Sequence, residues 1–479
     1  MTDQDLCYLD ASQALALFKA RKLSPVELMQ AVIRRAEAVE PKINAFADTY
    51  FDQAMDEAKK AEQRYGASRG RTRPLEGLAV AIKDENKIKG RRTTSGSLAF
   101  KDSIDSSTSL SVERIIKAGA IVHARSTTPE FACAGVTHSR LWGVTRNPWN
   151  LAFSTGGSSG GAGGSLAAGS TTLANGSDIW GSIRMPASCC GVFGFKPPYG
   201  RVPEDSPFNL DYYCHEGPMG RTVADVALLQ NVMAGPHPLD ITTVRPKQRI
   251  PADLKSIAGW KIAYSMDLGY FEVSDDVIQN TQATLQTLRD LGAQVEQVDL
   301  GWSETTLTAA SNHLGHLFGN MVASLLPRHR DQMTNYAKSF GEFGRTTTGA
   351  DLLSSMEVLN EMYATLGPIL ERYNALICPT MPIPAAAADY DPGVDRCVIN
   401  GKDVHPVWGW CMTYPFNMLS RCPVMSVPSG FARNKVPTGI QIVGRTYDDV
   451  SVFRVAADLE RARPLYQNAA HRPDFAGQE

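Results

Sequence analysis

No run of about 18 apolar residues occurs anywhere in the chain, and a membrane-crossing helix needs that length, so no membrane span is expected. The opening Met1-Thr2-Asp3-Gln4-Asp5 has neither the basic nor the apolar region of a secretory leader, and a cytoplasmic location is the expectation. Charge of one sign is also lacking. With 48 Lys and Arg against 50 Asp and Glu, the net charge of −2 offers no electrostatic footprint for nucleic acid or an anionic surface. The nine cysteines include no C-x-x-C pair and no Cys/His spacing of a zinc site, and the adjacent Cys189 and Cys190 are poorly placed for a relaxed disulfide. Reduced, packed thiols are expected, with no metal and no cofactor.

What is present is a long chain of ordinary globular composition: 479 residues, 43% hydrophobic and 20% charged. Residues 9 to 65 read as helices, and Ser24-Pro25-Val26-Glu27 combines an N-cap serine, proline at the first helical position and glutamate at the third. Leu78-Ala79-Val80-Ala81-Ile82 is a continuous apolar run of strand length that ends in Lys83-Asp84. Helices and strands then alternate: helix 109–118, strand 120–124, helix 222–233, strand 260–264, helix 275–291 and strand 295–300. This alternation argues for an α/β protein with a largely parallel or mixed sheet. The segment 304–373 reads as a helical excursion packed on the core, 381–407 as a loop over the sheet, and 424–428 with 439–444 as paired strands before a last helix.

The densest chemistry lies in Gly156-Gly157-Ser158-Ser159-Gly160-Gly161, which runs on to Asp178-Ile179-Trp180-Gly181-Ser182-Ile183-Arg184. A phosphate loop is excluded, because GxxxxGK[ST] is absent and no lysine follows the glycines before Lys196. Gly161-Ala162-Gly163-Gly164 is a poor dinucleotide fingerprint, and the alanine-rich run behind it is unlike a flexible linker. A nest of backbone amides serving a serine nucleophile explains most of the pattern. The base that would activate such a serine lies elsewhere. His123, His138 and His215 have no triad context such as GxSxG, whereas a lysine serves if burial disfavours its ammonium form. Lys83, at the end of the most buried-looking strand, is the candidate.

Together with Arg146-Asn147-Pro148-Trp149-Asn150, Gly191 to Pro197, Gly217 to Asp225 and Pro437 to Arg445, these motifs resemble those of the amidase signature family over most of the chain. The resemblance implies one domain over residues 1–479, with a large mixed, mostly parallel sheet between α-helices. Its signature core spans about 75–235, the helical excursion about 304–373, and strands and a helix at 375–465 return to the core. It further implies a Ser-cisSer-Lys triad: Ser182 as nucleophile, Ser158 as bridging serine after a cis peptide, and Lys83 as base. The amides of Ile179, Trp180, Gly181 and Ser182 would form the oxyanion hole, with Ser154, Asp178 and Arg184 in support.

Three departures bear on specificity. Trp180 stands where the family has glycine, Thr155 where it has proline, and Glu85-Asn86 where it has Asn-Ile. If the family glycine takes φ > 0, Trp180 is strained; otherwise its indole lines the pocket. Cys133 and Ala134 match a segment bordering the nucleophile, and with Trp180, Trp410 and Tyr414 they are expected to bind an apolar or aromatic substrate. The expected activity is hydrolysis of a small-molecule amide, with esters and carbamates as side substrates and a homodimer left open. The alternatives are the glutaminase-type subunit of a tRNA-dependent amidotransferase, which Trp180 argues against, and a non-catalytic binder, which retention of Lys83, Ser158 and Ser182 argues against.

Overall fold

The structure, a computed structural model, describes residues 1–67, 72–466 and 469–475. Eleven strands form one sheet: β1 (Phe46–Thr49), β2 (Ala79–Lys83), β3 (Ile121–Ser126), β4 (Leu173–Ser177), β5 (Phe193–Lys196), β6 (Glu216–Gly220), β7 (Lys261–Tyr264), β8 (Gln294–Gln297), β9 (Ala375–Pro379), β10 (Val424–Phe431) and β11 (Pro437–Val443). Their spatial order is β1-β3-β2-β4-β6-β5-β10-β11-β9-β7-β8. The sheet is mixed, as expected, but it is not mostly parallel. Only β3-β2, β2-β4, β9-β7 and β7-β8 run parallel, and the other six pairings are antiparallel.

The reason is connectivity. Parallel neighbours need a crossover, usually helical, and helix–strand alternation supplies one in the two wings. In the middle, β5 returns to β6 through a stretch whose only helix is the short turn Phe208–Leu210, and β10 joins β11 by a tight reversal at Ala432 to Val436. Three of the central strands, Leu-Ala-Asn-Gly-Ser, Phe-Gly-Phe-Lys and Glu-Gly-Pro-Met-Gly, carry glycine, asparagine and proline, which strands ordinarily avoid. Burial imposes strand geometry on them where propensity does not.

Around the sheet the local signals hold. Ser24 Oγ accepts from Val26 N at 3.0 Å and Glu27 accepts from Ser24 N at 2.8 Å, starting the helix Pro25–Ile43. The 304–373 segment is helical, in Thr305–Leu314, Asn320–His329, Asn335–Gly344 and Gly349–Arg372, with a π turn at Gly315–Gly319. The stretch 381–407 holds a hairpin within its loops, Cys397–Ile399 against Lys402–Val404, turned by Asn400 and Gly401 at positive φ. Among the described residues no helix is long and apolar enough to cross a membrane, and all nine cysteines are free.

Candidate active site

Two neighbouring parallel strands, β2 and β4, end side by side, and the residues of interest stand at their carboxyl ends. Every residue of β2 is buried, so Lys83 at its end is carried into the interior with no exposed surface. Its Nζ donates to Ser158 Oγ at 2.7 Å and to Ser177 Oγ, at the end of β4, at 2.8 Å. Glu85 Oε1 lies 3.2 Å from the same nitrogen. The Lys83 backbone N–H donates to Asn175 Oδ1 at 3.0 Å, which ties the two strand ends together.

Ser158 sits on the loop that opens the buried helix Gly160–Ala168, and the Gly157–Ser158 peptide bond is cis. The glycines here permit close packing. A Cβ on Gly161 would overlap the backbone of Thr127 and Ala45, and one on Gly157 would meet the carbonyls of Ala134 and Val136. Ser154, predicted to support, accepts from Gly156 N at 3.1 Å and so braces this loop.

Ser182 stands in the turn between β4 and the helix Arg184–Cys190, and Ser159 N donates to Ser182 O at 3.1 Å, linking the two serine loops. Ser158 Oγ accepts from Lys83 Nζ, and no hydrogen bond joins the Ser158 and Ser182 hydroxyls among the described residues. The turn is held from below by Asp178, whose carboxylate accepts from Gly181 N (2.8 Å), Ile183 N (3.3 Å), Arg184 Nε (2.9 Å) and Nη2 (2.8 Å), and Asn417 Nδ2 (2.8 Å). Burial opposes the charge on Asp178, but Arg184 and these hydrogen bonds outweigh it and hold the carboxyl below the usual carboxylate range. Arg184 Nη1 reaches Thr413 O at 2.8 Å and Gln441 Oε1 at 2.6 Å, anchoring the turn to β11.

This geometry corrects the expected oxyanion hole. Gly181 N–H already donates to Asp178, so it is not available to a ligand. The amides of Ile179, Trp180 and Ser182 donate to no protein acceptor among the described residues and remain free. Gly181 is also where the turn needs glycine: its φ is +116°, and a Cβ would run into Thr413. Trp180 is not among the positive-φ residues, so its backbone is not strained.

Two cavities meet at the turn. A larger one of about 310 Å³ is walled by Ser158, Ser177, Asp178, Glu85, Glu204 and Glu216, among others. A small apolar one of about 10 Å³ is walled by Ser182, Cys133, Ala134, Trp180, Trp408 and Phe340, among others. Cys133, Ala134 and Trp180 share the wall of that small cavity with Ser182. Trp410 and Tyr414 line neither cavity, which corrects the expectation that they bind substrate. Trp410 lies behind Gly135, whose Cβ position is 2.9 Å from its ring, and donates to Pro406 O at 2.6 Å. Tyr414 is fully buried, stacks on Trp180 at 4.5 Å and shares a 2.7 Å hydrogen bond with Tyr270. Trp408, 4.5 Å from Trp180, takes the wall position instead.

Other nucleophiles and bases are set aside by their surroundings. Burial pushes the Cys189 thiol up to about 12 and raises Cys190 well above its usual value, so neither is a thiolate. His123 is buried between the carbonyls of Val80 and Ser170, and His138 Nε2 faces Tyr390 O at 3.0 Å. His215 stands behind Asp178, where burial and nearby Lys196 lower it to about 3. Sequence reasoning missed Ser177, Asn175, Asn417 and Thr413. Gln441 lay inside one of the family-like motifs and Asn175 and Ser177 between the two serine motifs, whereas Thr413 and Asn417 come from a segment with no catalytic pattern of its own.

A buried lysine, two serine hydroxyls and three free backbone amides are groups that acyl-transfer chemistry can use. The sequence as a whole agrees. The Amidase family model matches residues 27–453. An acylamidase of Rhodococcus erythropolis is 32% identical over 469 residues, covering 97% of each chain. A glutamyl-tRNA(Gln) amidotransferase subunit of Symbiobacterium thermophilum is 32% identical over 484 residues, covering 94% of this chain and 95% of its own. Among solved structures, a bacterial aryl acylamidase of the amidase signature family superposes with a TM-score of 0.90 at 28% identity, covering 96% of this chain and 97% of its own. The chain belongs to the amidase signature family.

Proposed function

We propose that the chain is a free-standing amidohydrolase that cleaves a carbon–nitrogen bond through an acyl-enzyme on Ser182. The observation that carries this reading is the contact of the buried Lys83 amine with Ser158 Oγ at 2.7 Å, one loop away from Ser182. With Lys83 in its amine form, Ser158 passes a proton to Lys83 and accepts the Ser182 proton. Ser182 Oγ attacks the carbonyl carbon, and the amides of Ile179, Trp180 and Ser182 receive the oxyanion. As the tetrahedral species collapses, the carbon–nitrogen bond breaks and the relayed proton goes to the departing nitrogen through Ser158. Water then attacks the Ser182 ester, the acid leaves, and Ser182 recovers its proton. Esters and carbamates are side substrates of the same chemistry.

The similarity to tRNA-dependent amidotransferase subunits supports a second reading, in which glutamine is the amide and ammonia is passed to a partner. The aromatic wall of Trp180 and Trp408 beside Ser182 favours the first, because its side chains are mostly apolar and glutamine's acyl portion is polar. The deciding experiment is the purified chain alone against anilides, aliphatic amides and glutamine, with Ser182→Ala as control. Amide hydrolysis without partners, abolished in Ser182→Ala, is the expected result. Full activity of Ser182→Ala would overturn the nucleophile, and glutaminase activity that needs added partner proteins would reverse the ranking.

A further inference from the structure

The two cavities are unequal, and they divide the two serines between them. Ser158 lines the cavity of about 310 Å³ and not the small one, whereas Ser182 lines the cavity of about 10 Å³ and not the large one. They touch where Ala132, Ile179 and Phe318 line both. The partition is held in place by unusual backbone: Phe131 and Ala132 are consecutive non-glycine residues at φ +53° and +55°, a conformation that persists only where surrounding structure imposes it.

Resting on the amidase reading above, this division orients the substrate. The departing nitrogen takes its proton from the Ser158 side, so the amine portion must lie in the larger cavity. The substituent on the carbonyl carbon then points the other way, past Ser182 toward Cys133, Trp180 and Trp408. That space has room for about one water-sized group, roughly a methyl. Nor can it widen cheaply, since the Trp180 ring is clamped between Trp408 and Tyr414, each 4.5 Å away. The larger cavity is of the size that takes a ring-bearing ligand, and Phe131, Phe208, Phe318 and Met321 give it apolar walls.

We infer that the substrates are amides of a one- or two-carbon acid with a bulky, ring-bearing amine, and that Trp180 and Trp408 set the acyl limit. The test compares kcat/KM for N-acetyl-4-nitroaniline and N-hexanoyl-4-nitroaniline, with benzamide as the reverse case of large acyl and small amine. The wild-type protein is expected to prefer the acetyl compound by on the order of 100-fold or more over both, since one misfitting methylene alone is worth about 10–200-fold. Trp180→Ala, and separately Trp408→Leu in case the first does not fold, should cut the acetyl-to-hexanoyl ratio at least about tenfold, whatever happens to the absolute rate. Equal or better hydrolysis of the hexanoyl compound or benzamide by the wild-type protein overturns the inference and leaves the amidase reading standing. So does an unchanged ratio in either folded variant. Failure to cleave any amide, with no acylation of Ser182 seen by intact mass after p-nitrophenyl acetate, overturns the amidase reading and this inference with it.

Discussion

Replacing Asp178 by asparagine tests whether a buried ion pair holds the catalytic turn. The side chain has no exposed surface, and neither does that of Arg184. Its carboxylate serves five donors, two of them backbone amides of the turn itself. Asparagine has one acceptor oxygen and no charge, so Arg184 would remain in the core without its counter-ion. Removing one partner of a buried pair costs about 3–5 kcal/mol. For 479 residues, at about 2.1 cal/mol/K of unfolding entropy per residue, this lowers Tm by about 3–5 °C. The effect on turnover is larger. If one of the Ile179, Trp180 or Ser182 amides loses its aim, kcat falls by about 10²–10³, with KM little changed. Scanning calorimetry and steady-state kinetics on one anilide read both quantities. Arg184→Met added to Asp178→Asn removes the orphaned charge and should restore part of the Tm but not kcat. A single variant with wild-type Tm and wild-type kcat would refute the claim that this pair positions the turn.

Lys83→Ala should lower kcat by about 10²–10⁴, whereas His123→Asn and His138→Asn, whose ring nitrogens meet backbone carbonyls and whose rings pack on Phe46, Phe51 and Tyr336, keep most of it. A folded but inactive histidine variant would show that the base lies elsewhere. Asp225 is fully buried, and burial, partly opposed by Arg221, raises its carboxyl from 3.8 to about 7. Between those values the native state holds a proton that the unfolded chain has released, so stability is lost as pH rises through that window, at about 1.4 kcal/mol per pH unit. Asp225→Asn should lack this slope in urea unfolding at pH 4 to 7, and parallel curves for the two proteins would contradict it. Gly161→Ala puts a methyl into the backbone of Thr127 and Ala45 and should cost about 1–3 kcal/mol or more. An unaltered melting temperature would mean that the buried helix can shift to make room.

Some of this was legible along the chain because it depends on neighbours in sequence. The capping box at Ser24 and Glu27, the buried run of β2 and the helices of 304–373 are local patterns, and the structure keeps them. The Asn400-Gly401 hairpin was equally local and passed unread inside a loop. The strands β4, β5 and β6 were not legible, because glycine, asparagine and proline argue against strands and only the pairing partners on either side override them.

The site divides in the same way. Lys83, Ser158, Ser182, Asp178 and Arg184 are chemical types in motif order, so the sequence by itself determined the family. It could not determine where their unpaired atoms point. The capture of Gly181 N–H by Asp178 and the approach of Glu85 to Lys83 join residues two or three apart and turn on local backbone geometry, whereas the arrival of Ser177 beside Lys83 and the placing of Trp408 rather than Trp410 or Tyr414 at the cavity wall depend on residues brought together by the fold. Covalent order decides which groups are present. Distance and direction between groups 75 residues or more apart are set only when the sheet closes and its neighbours are packed against it.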